Sequence, residues 1–388
     1  MAVARAEDSA PSRYLLPIAG LVGLVLCIGG ILVLLDPRGG SSVLATIYDA
    51  LGNSSGATDL RNGSGDQLIA KIILALIALG VGVGGIWLLF VGVGGLVSLL
   101  QPKWRDRLLP WVFAGPAIIL LTVYLVYPAA ATIVRSFLDD RAGAPTLANY
   151  AVMTQPDFLE VLRNNAIWLV VATGGSVLLG LIIAGLFDRV RREALAKTFI
   201  FLPLAISLIG ASVIWLFVYA WQPQGQPQIG LLNAVVTGFG AAPIPWLTTS
   251  PVNIFAEIVI MVWLQTGFAM VVLSAAIKGV SVEVIEAARL DGASERQLFF
   301  GIIVPIIRGS IITVATTIAI AVLKIFDIVY VSTGGRFNDD VVAVRMFHEM
   351  FQFLSDGRAA ALATILFIAV LPVMYVNLRN FRRQQVEG

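Results

Sequence analysis

VNIFAEIVIMVWLQTGFAMVVLSAAI, residues 252–277, is followed at once by Lys278-Gly279. The run exceeds the roughly 20 apolar residues that cross a bilayer as a helix. Glu257 is its only charge. In hydrocarbon every backbone N–H and C=O has to be satisfied, and a single segment does that only as a helix. Seven further stretches read the same way: Tyr14–Leu35, Leu68–Leu100, Leu108–Val134, Asn165–Phe187, Thr198–Ala220, Gly309–Tyr330 and Ala359–Asn377. The first is too long for a signal-peptide core and is followed by Asp36-Pro37-Arg38 rather than small residues, so it reads as a retained helix. The fold class is therefore all-α, a polytopic membrane protein of about eight transmembrane helices.

Composition agrees. Of 388 residues, 58% are hydrophobic and 13% charged, against about 25% charged in soluble domains. A water-soluble globule could not cover itself with so few charges, and so apolar a chain could not stay solvated as a disordered one. Net charge is +2, which is no balance for nucleic acid. The single cysteine, Cys27, excludes an intrachain disulfide, and the single histidine, His348, excludes a multi-histidine metal site. His348 reads as a surface or interface residue.

Orientation follows from Lys and Arg near the span ends. Placing the N-terminus in the cytoplasm puts about twice as many basic residues inside as outside, among them Arg189, Arg191, Arg192, Lys197, Lys278, Arg289, Arg296 and Arg308. The outer loop Trp221–Pro251 then carries no Lys or Arg. Both termini are expected inside. In that loop the prolines at 223 and 227 forbid a helix, and Ile229–Phe239 is free to lie in the membrane interface.

Gly80-Val81-Gly82-Val83-Gly84-Gly85 matches a dinucleotide-binding pattern, but it lies inside an apolar span, where small residues serve helix packing. There is no G-x-x-x-x-G-K-[ST], H-E-x-x-H or G-x-S-x-G. Ionisable residues within spans are costly and face a cavity or a partner. Lys324 and Asp327 have i, i+3 spacing, expected to place them on one helix face as a neutralising pair. Glu257 and Gln265 are expected to share a face of the sixth span, with Trp263 and Thr266 near its middle. Together they offer amide, carboxylate and aromatic surfaces inside the membrane. Trp215, Tyr219 and Trp221 read as an interfacial aromatic belt.

The segment between the sixth and seventh spans is KGVSVEVIEAARLDGASERQLFFGIIVPIIRGS, residues 278–310. Ser281 is a plausible N-cap, with Glu283 in the first turn. Val282–Leu290 reads as a short helix, broken at Asp291-Gly292, and Ala293–Phe300 starts a second. Ala287, Ala288 and Ala293 offer close approach, and Glu286, Arg289, Asp291 and Arg296 offer charges that fix register: a docking shape.

EAARLDGA at 286–293, with Glu283 before it and Phe299 and Pro305 after it, resembles the EAA loop of membrane-spanning subunits of ABC importers. Lys324-Ile325-Phe326-Asp327-Ile328-Val329-Tyr330 and Thr333-Gly334-Gly335 resemble the seventh-span signature of maltose-type carbohydrate permeases. Asn149-Tyr150, Phe158 and Leu162-Arg163-Asn164 resemble their first core outer loop, and Gly230-Leu231-Leu232-Asn233 the third. The run Val322–Phe381 is most similar to α-glucoside permeases. Ser281 and Arg336 stand where the family usually has Pro, and Gly309 where a second Pro often stands.

The resemblance implies a type I ABC importer permease fold: a two-helix N-terminal extension over 1–107 and a six-helix core over 108–388, with a coupling loop at 278–310. It implies that Glu283, Glu286, Ala287, Ala288, Asp291, Gly292 and Ala293 couple to an ATPase, and that Trp263, Gln265, Thr266, Lys324, Asp327 and Tyr330 belong to the substrate path. Implied partners are a second permease subunit, an ATPase dimer, an extracytoplasmic sugar-binding protein, the sugar, an oligosaccharide or α-glucoside, and the lipid of a bacterial inner membrane. The chain itself would be no enzyme and hold no cofactor, since ATP-Mg belongs to the partner ATPase. The competing expectations are a permease for a polyol or glycerol phosphate, and a stand-alone secondary transporter.

Overall fold

The computed structural model describes residues 102–187 and 193–387, with single positions at 22, 58, 84, 87, 90, 94 and 97. The spans expected at Tyr14–Leu35 and Leu68–Leu100, with the loop between them, lie outside the described residues. The chain divides into two compact units at Pro128–Ala129. Helical span α1 runs Pro102–Arg135 through a π-turn at Thr122–Val126, and the division falls within it.

The second unit is helical. Its only β feature among the described residues is an isolated bridge between Leu138 and Pro145. Helix α2 spans Pro156–Phe187, starting with Pro156 in its first turn, where the missing N–H costs nothing. Then come α3 (Glu193–Phe201), α4 (Leu208–Val218), the outer-loop helix α5 (Leu231–Gly238) and α6 (Val252–Lys278). Helix α7 (Val282–Leu290) and α8 (Glu295–Ile306) form the hairpin, and α9 (Arg308–Leu323), α10 (Asp327–Ser332), α11 (Val342–Phe351) and α12 (Asp356–Glu387) complete the chain.

The centre of this unit is α6, and 56% of its most apolar stretch is buried. Small residues let its neighbours close in. A Cβ added at Gly180 of α2 would stand 2.5 Å from the Cβ of Ala269, and one at Gly267 would stand 2.6 Å from the carbonyl oxygen of Ile200. Without a hydrophobic drive between helices in lipid, this close van der Waals contact holds the bundle. Trp168, Met261, Met270 and Leu273 fill the spaces between.

Two expected spans are bent. Thr198–Ala220 is two helices meeting at 101°. A 3₁₀ turn containing Pro203 ends the first, and the Ser207 Oγ caps the second by accepting from Gly210 N–H at 3.0 Å. The path into the seventh span bends by 69° after Pro305, at Ile307.

The third departure is a correction. Gly309–Tyr330 is not one helix: α9 ends at Leu323, and Lys324 (φ −101°, ψ 18°) and Phe326 (φ −134°, ψ −57°) leave helical geometry. Lys324 and Asp327 therefore do not share a helix face, and no ion pair joins them.

Candidate functional site: a capped hairpin and a broken span

The hairpin owes its shape to two sets of caps. Gly292 has φ +83°, a left-handed conformation that a Cβ would strain. Its N–H donates to the Arg289 carbonyl at 3.1 Å, and Ala293 N–H donates to the Ala288 carbonyl at 3.0 Å. This pair of bonds closes α7 as a Schellman motif. Ser281 occupies the N-cap position, but its side chain makes no cap bond. The second helix starts later than expected, at Glu295, because Ser294 and Gln297 form a capping box. Ser294 N–H donates to Gln297 Oε1 at 2.8 Å. Arg289 Nε donates to Glu295 Oε1 at 3.2 Å across the turn.

The hairpin is anchored below. Leu298 is buried, and Phe299 lies over Gly185 of α2, where an added Cβ would stand 2.7 Å from the ring. At its root, Glu193 of α3 pairs with Lys278 at 2.7 Å and also with Lys197, whose ammonium contacts Ser274 of α6. What projects away is Glu283, Glu286, Ala287, Asp291 and Gly292, with Leu290 89% exposed. Ala288 faces the other way, buried in the chain's own core, and Ala293 is half-buried. The hairpin tip thus presents an exposed leucine among carboxylates.

The broken seventh span forms a second constellation. Lys324, Asp327 and Gln265 line one cavity of about 170 Å³ with Leu204, Met261 and Phe326. Tyr330 stacks on Phe326 (centroids 4.9 Å) and meets Phe347 edge-on at 4.8 Å. Lys324, Phe326 and Phe347 also line an open apolar hollow of about 610 Å³. Trp263 is edge-on to Trp215 at 5.8 Å, the Thr266 hydroxyl donates to the Val262 carbonyl at 2.6 Å, and neither lines the Gln265 cavity. Tyr219, expected in an aromatic belt, is instead buried, with its hydroxyl donating to the Ala256 carbonyl at 2.7 Å. Sequence reasoning passed over Phe326 and Phe347 as site residues, though the aromatic repeat Phe326, Tyr330 was visible. Among the described residues no three His, Cys, Asp or Glu side chains come together as they would around a metal ion.

Residues 176–383 match the family model for the binding-protein-dependent transport system inner membrane component. That stretch contains both the hairpin and the broken span. The chain belongs to this family. It is a multi-pass inner-membrane permease of the ABC transporter class, a transport subunit. This permease is 51% identical over 276 residues to the osmoprotective compounds uptake permease protein GgtC of Synechocystis sp., covering 71% of this chain and 99% of that one. It is 46% identical over 297 residues to the alpha-glucoside transport system permease protein AglF of Rhizobium meliloti, covering 76% and 88%. A chain of a bacterial alginate ABC transporter, solved in complex with an alginate pentasaccharide-bound periplasmic protein, shares the fold with TM-score 0.63 at 18% identity, covering 73% of this permease and 98% of that chain.

Proposed function

We propose that this permease forms half of the translocation path of an ATP-driven sugar importer, with an α-glucoside or a similar oligosaccharide as cargo. In this reading the α7–α8 hairpin seats in a separate ATPase, a second permease completes the path, and an extracytoplasmic binding protein delivers the sugar. The observation that carries it is the hairpin: capped on both sides of its turn, held by Phe299 and Glu193, and presenting Glu286, Ala287, Leu290 and Asp291 outward. A ligand-driven change has to act through differential contact with the two states. A rigid hairpin continuous with two spans transmits such a push. The relatives whose names specify alpha-glucosides and osmoprotective compounds support the cargo class.

Gln265, Lys324 and Asp327 are the path residues this reading favours, with Tyr330 on the aromatic side; Trp263 and Thr266 shape α6 behind them. Residues 1–107 form an addition to the six-helix core of 108–388, and both termini lie in the cytoplasm. The test is the complex co-expressed with its ATPase and binding protein. Ala287→Arg should leave assembly intact and cut binding-protein-stimulated ATP hydrolysis by about tenfold or more, the equivalent of roughly 1.4 kcal/mol of docking energy. Normal stimulation in that variant would sink the docking reading. Transport by the purified chain alone would favour a secondary transporter instead.

A further inference from the structure

The buried end of α6 holds an arrangement that neither the hairpin nor the Gln265 cavity uses. Asn253 and Glu257 are one turn apart on α6, on the same face. The loop after α10 folds over them. Asn253 Nδ2 donates to the Phe337 carbonyl at 2.8 Å and to Asp339 Oδ2 at 3.0 Å. The Thr333 hydroxyl shares its one proton between Glu257 Oε1 at 3.4 Å and the Val329 carbonyl at 3.2 Å. Asn253, Glu257 and Asp339 are each 0% exposed.

Two features set this cluster apart from an ordinary polar knot. First, two carboxyl groups are buried together, and among the described residues no Lys, Arg or His pairs with either. The nearby Arg336 turns instead to the Thr333 carbonyl, to which its Nε donates at 2.9 Å. Second, two acceptors of fully buried side chains, Glu257 Oε2 and Asn253 Oδ1, have no hydrogen-bond partner. Buried charges persist when they are paired or bind a metal ion, and orphan acceptors cost free energy until a positive centre meets them.

We propose that Glu257, Asn253, Asp339 and Thr333 form a binding site for a hard, oxygen-seeking metal cation of the Na⁺ or Ca²⁺ kind. The ligand chemistry is carboxylate, amide oxygen and hydroxyl, the set that such ions take. Bound there, the ion neutralises the paired acids and fastens the Thr333–Val341 loop to α6. This site is independent of the sugar reading and stands or falls without it.

The experiment follows unfolding of the purified full-length chain in detergent, read by tryptophan fluorescence. NaCl or CaCl₂ replaces choline chloride at constant ionic strength, and each series is repeated across pH. One of the two ions should raise the unfolding midpoint saturably, on the order of 5 °C at a hundredfold excess over Kd. Glu257→Gln should remove that response. Because that variant could fail to fold, equilibrium dialysis of wild type with ²²Na⁺ or ⁴⁵Ca²⁺ is run beside it and should reach about one ion per chain. Absence of saturable binding overturns the proposal. So does an ion response that survives in a folded Glu257→Gln chain, or a midpoint that follows pH alone, which would assign the missing positive charge to a proton.

Discussion

At Gly292 a single backbone angle decides whether the hairpin closes. Nothing lies within 4 Å of a Cβ built there, so any penalty for substitution is conformational rather than a clash. Gly292→Val should cost roughly 1–2 kcal/mol, the penalty of a left-handed L-residue. Gly292→Asn should recover part of it, since Asn tolerates that region. Unfolding midpoints and protease nicking at the hairpin check both. Asp340 offers a pH test. It is half-buried, and desolvation pushes its pKa up to about 7 although the Arg345 guanidinium pulls the other way. A folded-state acid held above its unfolded value binds protons more tightly when folded. Its contribution to stability is therefore present at low pH and lost as pH rises from the unfolded value, 3.8, through about 7. Asp340→Asn should flatten the wild-type decline in midpoint over that window. An unchanged slope would mean that Asp340 is ionised in the fold.

At the scale of elements, helix caps matter more than surface charge. Ser294→Ala removes half of a capping box and should cost about 1 kcal/mol. Arg289→Ala removes an ion pair whose partners are 51% and 49% exposed, and such pairs contribute about 0–1 kcal/mol. Thermal unfolding of the two variants side by side tests that order. The same comparison explains what was legible in the sequence. Asp291-Gly292 marked the end of α7 because glycine's backbone freedom is a local property. Pro203 and Ser207 marked the 101° bend equally plainly, yet the apolar run across them, Thr198–Ala220, concealed it. The break at Lys324 had no local sign at all, since Ala321-Val322-Leu323-Lys324-Ile325-Phe326 contains neither Gly nor Pro. That break is held by packing: Ile325 and Ile328 are buried, and Phe326 lies against Tyr330 and Phe347. Ala288 shows the same limit. Its size suggested a docking surface, whereas the register of α7 turns it inward and leaves Ala287 and Leu290 outside.

Among the described residues, hydropathy alone located the four continuous candidate spans and the two bent ones, because lipid imposes one rule on every backbone group. Which side each loop faces is a separate question, resting on the distribution of Lys and Arg. The chain is well suited to a direct answer. It has one cysteine, Cys27, so Cys27→Ser gives a background in which a single new thiol reports its own exposure. Leu290 on the hairpin is 89% exposed and Phe239 at the end of α5 is 87% exposed. Between them the chain passes along α6, so the two positions belong on opposite faces of the membrane. A membrane-impermeant maleimide added to intact cells should label Phe239→Cys and spare Leu290→Cys. In inverted vesicles the pattern should reverse. Co-expressed ATPase should then protect Leu290→Cys in the vesicles, since a hairpin seated in a recess hides its tip, and should leave Phe239→Cys unaffected. Labelling of Leu290→Cys from outside intact cells would place the hairpin away from cytoplasmic ATP and remove any route by which hydrolysis could drive these spans.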